Sequence, residues 1–142
     1  MGVMGSSPQS SELFDPIRQK WVEALPEERV RQALLTRLIQ DLGYPMETLM
    51  VEKEMREVPH IQGKDLPSRR LDILCLASQS LRPLLLIECK AIPLKEAMLA
   101  QVRGYNAFIG APVICLANQT TCILEGASGN ALPSYQQLMQ GS

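Results

Sequence analysis

A single α/β domain, with helices flanking a central mixed sheet in the order α-β-β-β-α-β, is what the sequence predicts. Two segments, 26–42 and 93–108, carry apolar residues at helical spacing behind a proline start signal, and short apolar runs bounded by turn residues lie between and after them. Length agrees: 142 residues, 46% of them hydrophobic, build one substantial core and are too few for two ordinary domains. There is no internal repeat and no low-complexity linker.

The opening "MGVMGSSPQS" is polar and has no hydrophobic stretch, so residues 1–11 are expected to be a disordered segment and 12–142 the domain. The first helix is expected over "PEERVRQALLTRLIQDLGYP". Pro26 suits the first helical position, Glu27 and Glu28 complement the positive helix end, and Gly43 with Pro45 stops it. Val30, Leu34, Leu38 and Leu42 mark its apolar stripe. Glu27 is in phase with that stripe and Glu28 is turned away from it. "LMVEKEM" reads as a strand and "EVPHIQGKDLPS" as a loop. "RRLDILCLA" is a second strand, with Asp72, Leu74 and Leu76 expected on one face and Leu71, Ile73 and Cys75 on the other. After "SQSLRP" the run Leu84 to Lys90 returns as a third strand, completing a meander. Pro93 opens the second helix, which ends near Gly110. "PVICLA" is a fourth strand, "TTCIL" a short fifth and "LPSYQQLMQ" a terminal helix.

Composition narrows the function. With 14 basic and 15 acidic side chains the net charge is −1, so no global basic field advertises a nucleic-acid partner and any such site must be local. An aromatic content of 4% argues against a strong autonomous binder of single strands by stacking. Cys75, Cys89, Cys115 and Cys122 form no CxxC pair and have only His60 to complete a soft-metal set, so they read as small buried hydrophobes in a reducing compartment. No apolar stretch approaches the roughly 18 to 20 residues that span a bilayer, and the chain is expected in the cytoplasm.

The chemistry gathers where "LLLIECKA" ends. Glu88 and Lys90 lie two apart on a strand, project from one face and reach one pocket at its carboxyl end. A solvated strand end is the plain alternative. Asp72 interrupts the preceding apolar strand sixteen residues earlier, a spacing at which a hairpin brings two carboxylates together. Two carboxylates with a backbone carbonyl such as that of Cys89 make a hard, oxygen-only site of the kind magnesium prefers. Lys90 beside it could orient or deprotonate a water, or neutralise charge on a phosphorane. An ion pair of Asp72 with Arg69 or Arg70 is the other reading. In the second helix Leu94, Ala97, Met98, Gln101, Tyr105 and Phe108 are expected to share the packed face, which would bury the Gln101 amide beside Tyr105.

In this order Glu27, Asp72, "ECK" at 88–90 and "QVRGY" at 101–105 resemble the PD-(D/E)XK nuclease superfamily, specifically the type I restriction enzyme R protein N-terminal family, over Phe14 to Asn118. The resemblance implies a restriction-endonuclease-like core. It also implies a nuclease hydrolysing nucleic acid, expected to be DNA, with magnesium, or manganese in its place. Asp72 and Glu88 would bind the metal with the Cys89 carbonyl, Lys90 would be the catalytic lysine, Glu27 the helix-borne acid, and Gln101 with Tyr105 the associated polar pair. Arg69, Arg70, Arg103 and the Gln101–Tyr105 face would contact the nucleic acid. Leu71 stands where the superfamily's name has proline. No GxxxxGK[ST] loop occurs, so the chain carries no nucleotide-driven motor of its own. The alternative function is a catalytically silent nuclease-fold module docking to DNA or a partner subunit; a homodimer is compatible with either.

Overall fold

The computed structural model describes residues 11–61 and 65–141; the expected disordered start, apart from Ser11, lies outside the described residues. A hairpin of β1 (Glu12–Asp15) and β2 (Lys20–Glu23) precedes α1 (Pro26–Thr36). The chain continues through β3 (Leu49–Glu54), β4 (Arg70–Leu76), β5 (Pro83–Cys89), α2 (Glu96–Ile109), β6 (Val113–Ala117), β7 (Cys122–Glu125) and α3 (Tyr135–Gly141). The sheet is mixed, in the order β3-β4-β5-β6-β7: β5 and β6 run parallel, joined by α2, and every other neighbouring pair is antiparallel. The expected meander is β3-β4-β5. The α-β-β-β-α-β order runs from α1 to β6, with the amino-terminal hairpin as an addition that the sequence reading did not contain.

Two apolar layers sandwich the sheet. Val30, Leu34, Leu35 and Leu38 of the α1 segment pack with Ile73, Cys75, Ile87 and Cys115 on one face. Leu99, Val102 and Ile109 of α2 pack with Leu74, Leu86, Ile114 and Leu116 on the other. The central strands are therefore covered on both sides, which is why they read as continuous apolar runs rather than alternating ones.

Three elements depart from expectation. The first helix is α-helical only to Thr36, and Arg37–Asp41 form a π-helical turn before Gly43, at φ +74°, reverses the chain. The second helix begins at Glu96 rather than at Pro93. Its packed face is also turned. Leu99 and Val102 are buried, whereas Ala97, Gln101 and Phe108 are exposed, so Gln101 is not a buried amide. The third correction is in β4, where Leu71 joins Leu74 and Leu76 in the α2-side layer while Ile73 and Cys75 face α1. Strict alternation therefore breaks at Leu71–Asp72. Opposite this point Glu52 adopts φ +56°, a left-handed conformation that a residue with a Cβ rarely takes, and the β3–β4 pairing skips it.

The amino-terminal hairpin is tied to α1 by the buried Asp15 carboxylate and by an ion pair of Arg18 with Glu28 at 2.8 Å. Asp15 accepts the backbone N–H groups of Ile17 and Arg18, the Arg18 Nε–H at 2.7 Å and the Gln32 amide at 2.8 Å. Burial pushes its carboxyl up, but these donors outweigh burial and hold it below the ordinary carboxylate range.

Candidate active site

The break in the sheet locates the site. Lys90 donates its backbone N–H to Ala117 of β6 at 2.8 Å, so the N–H of Cys89, one residue earlier, faces β4 instead. The β4–β5 pairing stops at Ile73–Ile87, and the N–H of Cys89 finds the Asp72 carboxylate at 2.8 Å rather than a backbone carbonyl. A side chain thus replaces a rung of the ladder. Asp72 stands in the gap between the two strands, where it can be approached from both faces of the sheet.

From the α1 face comes Arg31, with only 6% of its side chain exposed. Its Nη2 donates to Asp72 at 2.5 Å and to Glu52 at 2.8 Å, and its Nη1 donates to Glu28 at 2.5 Å. The kink at Glu52 turns that carboxylate to the same guanidinium. From the α2 face comes Arg69, whose Nη2 donates to Glu88 at 2.6 Å and whose guanidinium lies 4.3 Å from the centre of the Tyr105 ring. Lys90 places its Nζ 3.8 Å from the same Glu88 oxygen. The Nε–H groups of Arg31 and Arg69 are buried without an acceptor among the described residues.

Charge balance at this end of the sheet is incomplete. Burial first, and the negative charge of Asp72 second, push the Glu88 carboxyl up to about 8 against the opposing pull of Arg69 and Lys90. Glu27 is raised by burial and then by Asp72, with Lys90 and Arg31 opposing, so its carboxylate belongs to the same electrostatic neighbourhood although its side chain is largely exposed. Glu28 turns instead to Arg31, Gln32 and Arg18. Burial pulls its carboxyl up, but those donors prevail and it lies below the ordinary range.

The structure therefore gathers Glu27, Asp72, Glu88, Cys89, Lys90, Arg69 and Tyr105 at one end of β4 and β5. Gln101, one helical turn before Tyr105, is exposed on α2. Two other expected contacts are engaged elsewhere. Arg103 is paired with Glu125 and, at 3.2 Å, with Glu96 on the outer surface. Arg70 is 63% exposed and reaches Glu54 at 3.6 Å. Asp72 is ion-paired, but with Arg31 of α1 and not with Arg69 or Arg70.

Sequence reasoning missed Arg31 and Glu52. Arg31 follows Glu27 by four residues and Glu28 by three, a spacing that places all three on neighbouring helix positions, and that was the available signal. Nothing local in "MVEKEM" marks Glu52 as the residue at which the strand kinks.

The donors present fit a hard divalent cation. Two adjacent carboxylates share a gap in the sheet, one of them raised by burial and by the charge of the other, and in regular strand geometry the Cys89 carbonyl points to the same side as its N–H. Among the described residues no group of three or more His, Cys, Asp or Glu side chains is arranged to hold a metal, so a cation would rest on two carboxylates and a backbone oxygen. No helix among the described residues is long and apolar enough to cross a membrane. No curated protein and no solved structure gives a significant match to the chain. The family model of the type I restriction enzyme R protein N terminus does match, over residues 26–131, from the start of α1 to beyond β7 and so across every element that builds the site, and the chain belongs to that family.

Proposed function

We propose that this domain is a magnesium-dependent nuclease of the PD-(D/E)XK type, acting on the phosphodiester backbone of DNA. The observation that carries the reading is the meeting of Asp72, Glu88 and Lys90 where the β4–β5 ladder ends and the Asp72 side chain takes the Cys89 N–H. Asp72, Glu88 and the Cys89 carbonyl would hold the metal. When bound, magnesium, or manganese in its place, supplies Lewis acidity toward the phosphate and a nucleophilic hydroxide from water. Lys90, held beside Glu88, places a positive charge where the attacked phosphate gains negative charge, or takes a proton from the water. Glu27 faces the same space from the first turn of α1. Arg69 rests on Glu88 and Tyr105 with a third of its side chain exposed, and can leave that carboxylate to receive a phosphate oxygen.

A second reading has its own observation. Arg31 and Arg69 already pair with both carboxylates, as they would in a domain that keeps the fold and binds DNA or a partner subunit without turnover. Calorimetric magnesium titration beside a plasmid and oligonucleotide cleavage assay separates the two. The nuclease reading expects metal-dependent cleavage that Asp72→Ala and Glu88→Ala abolish together with metal binding. It expects Lys90→Ala to keep the metal and lose about a hundredfold or more in rate. Wild type that neither binds magnesium nor cuts leaves the silent module standing.

A further inference from the structure

A groove of about 500 Å³ opens beside the site, between α1 and the turn that joins β6 to β7. Its floor is aliphatic, from Val30 and Leu34, and the half-buried Cys122 contributes to it. Arg29 and Arg37 line one wall, and the amides and hydroxyls of 118–121 line the other. Among the described residues no carboxylate lines it, although acids outnumber bases in the chain as a whole, so the groove is complementary to an anion.

The groove and the site share their walls. Ala117, which lines the groove, accepts the backbone N–H of Lys90 at 2.8 Å. Pro26, which also lines it, is followed directly by Glu27. Asn118 ties the two regions rigidly: its Nδ2 donates to the Ile92 carbonyl just beyond Lys90 at 2.9 Å, and its Oδ1 accepts the N–H groups of Thr120 and Thr121 at 3.0 and 2.7 Å. A ligand seated here would lie beside the backbone that carries Lys90 and next to Glu27, whose carboxyl feels the charges of Asp72 and Lys90.

We propose that this groove takes one unpaired nucleotide adjoining the phosphodiester at the site, its base against the aliphatic floor and its phosphate toward Arg37. The inference rests on the nuclease reading for the identity of that phosphodiester. The volume falls in the range of roughly 300 to 1,000 Å³ typical of small-ligand pockets, with the same pattern of apolar walls and a few polar groups. A base stacked inside a duplex cannot enter such a recess, so the nucleotide must come from an overhang, a gap or an extruded position. The domain therefore selects DNA with an unpaired nucleotide next to the cleaved bond.

The test is fluorescence anisotropy in EDTA, using a dye-labelled duplex that carries a short 5′ or 3′ overhang against a blunt duplex of equal length. At least one overhang polarity is expected to bind about tenfold or more tighter than the blunt duplex. Ala33→Trp, at an exposed position in the α1 wall, fills the groove and removes that preference while leaving blunt-duplex binding as it was. Arg37→Glu, also exposed, lowers overhang binding by charge, and by more than it lowers blunt-duplex binding, and circular dichroism confirms that each variant is folded. Alkylation of Cys122 slows when the overhang substrate is bound. Equal binding of both duplexes by wild type, no binding of either, or a preference that survives both substitutions overturns the proposal. So does a concentration-dependent dimer, seen by sedimentation, that Ala33→Trp abolishes while overhang binding is untouched, since the groove would then seat a second copy. A parallel cleavage assay with magnesium keeps the two readings apart. Loss of overhang preference in Ala33→Trp without any cleavage by wild type leaves the groove standing and removes the nuclease. Cleavage that depends on Asp72 but ignores the groove does the reverse.

Discussion

Two arginines close the same end of the sheet from opposite faces, and they are built for different purposes. Arg31 is buried, branches to Glu28, Glu52 and Asp72, and is held more firmly protonated than an ordinary arginine because those three carboxylates outweigh its own burial. Arg69 is 31% exposed, holds one carboxylate and lies on one aromatic ring. The first is a strut that joins α1, β3 and β4, elements distant in sequence. The second is a cover that can be lifted without disturbing the frame. Two carboxylates can thus be kept together, one by a buried guanidinium and the other by a part-exposed one.

The largest effect that can break this comparison is Arg31→Met. It leaves the buried Asp72 carboxylate without its cation and takes a partner from Glu28 and Glu52, and the expected loss is about 3 to 5 kcal/mol, the scale of breaking a buried ion pair from one side. Urea denaturation measures it; a loss no greater than that of Arg69→Ala would show that Arg31 is no strut. Arg69→Ala itself is expected to cost about 1 kcal/mol or less, because its pair and its cation–π contact are partly screened by solvent. The same variant should tighten magnesium in calorimetry, since Glu88 is released from a competing cation. Weaker metal binding would mean that Arg69 positions Glu88 rather than covering it.

The pH dependence of stability sharpens the comparison on the Glu88 side. Its carboxyl is raised on folding to about 8 from an ordinary 4.5, so between these values the unfolded chain has released a proton that the folded chain retains. The stabilising contribution is therefore fully present below about pH 4.5 and is lost as pH rises through 8, in the absence of metal. Glu88→Gln removes that slope, and magnesium does so too if it binds there. Thermal unfolding of wild type and Glu88→Gln across this window, with and without magnesium, checks it; identical slopes in the two proteins would refute the assignment. The smallest effect belongs to Arg103→Ala. That guanidinium is paired with Glu125 and Glu96 at the open surface, far from either clamp in kind, and the unfolding midpoint should not move measurably.

What could be read along the chain was whatever depends on spacing within one element. A period of two puts Glu88 and Lys90 on one side of a strand, a helical period puts Glu27 in phase with Val30 and Leu34, and a buried strand of "LLLIEC" needs no partner to announce itself. The phase of α2 was misread because Leu94, Met98 and Leu99, Val102 offer two adjoining apolar stripes. Only the position of the sheet decides which stripe lies deepest: it buries Leu99 and Val102, holds Leu94, Met98 and Tyr105 at the margin of the same layer, and leaves Gln101 outside.

The amino-terminal hairpin escaped because its ties to the rest of the fold join distant residues, Asp15 to Gln32 and Arg18 to Glu28, rather than following from strand patterning. Arg31 escaped for the same reason at longer range: its partners lie 21 and 41 residues away, and one of them points at it only because β3 kinks at Glu52. Local sequence determined which residues stand at the end of each element and which way they face. The closing of the ends on one another was decided by the tertiary structure, because the burial of two carboxylates in one gap and the cations that compensate them are properties of separate segments brought together.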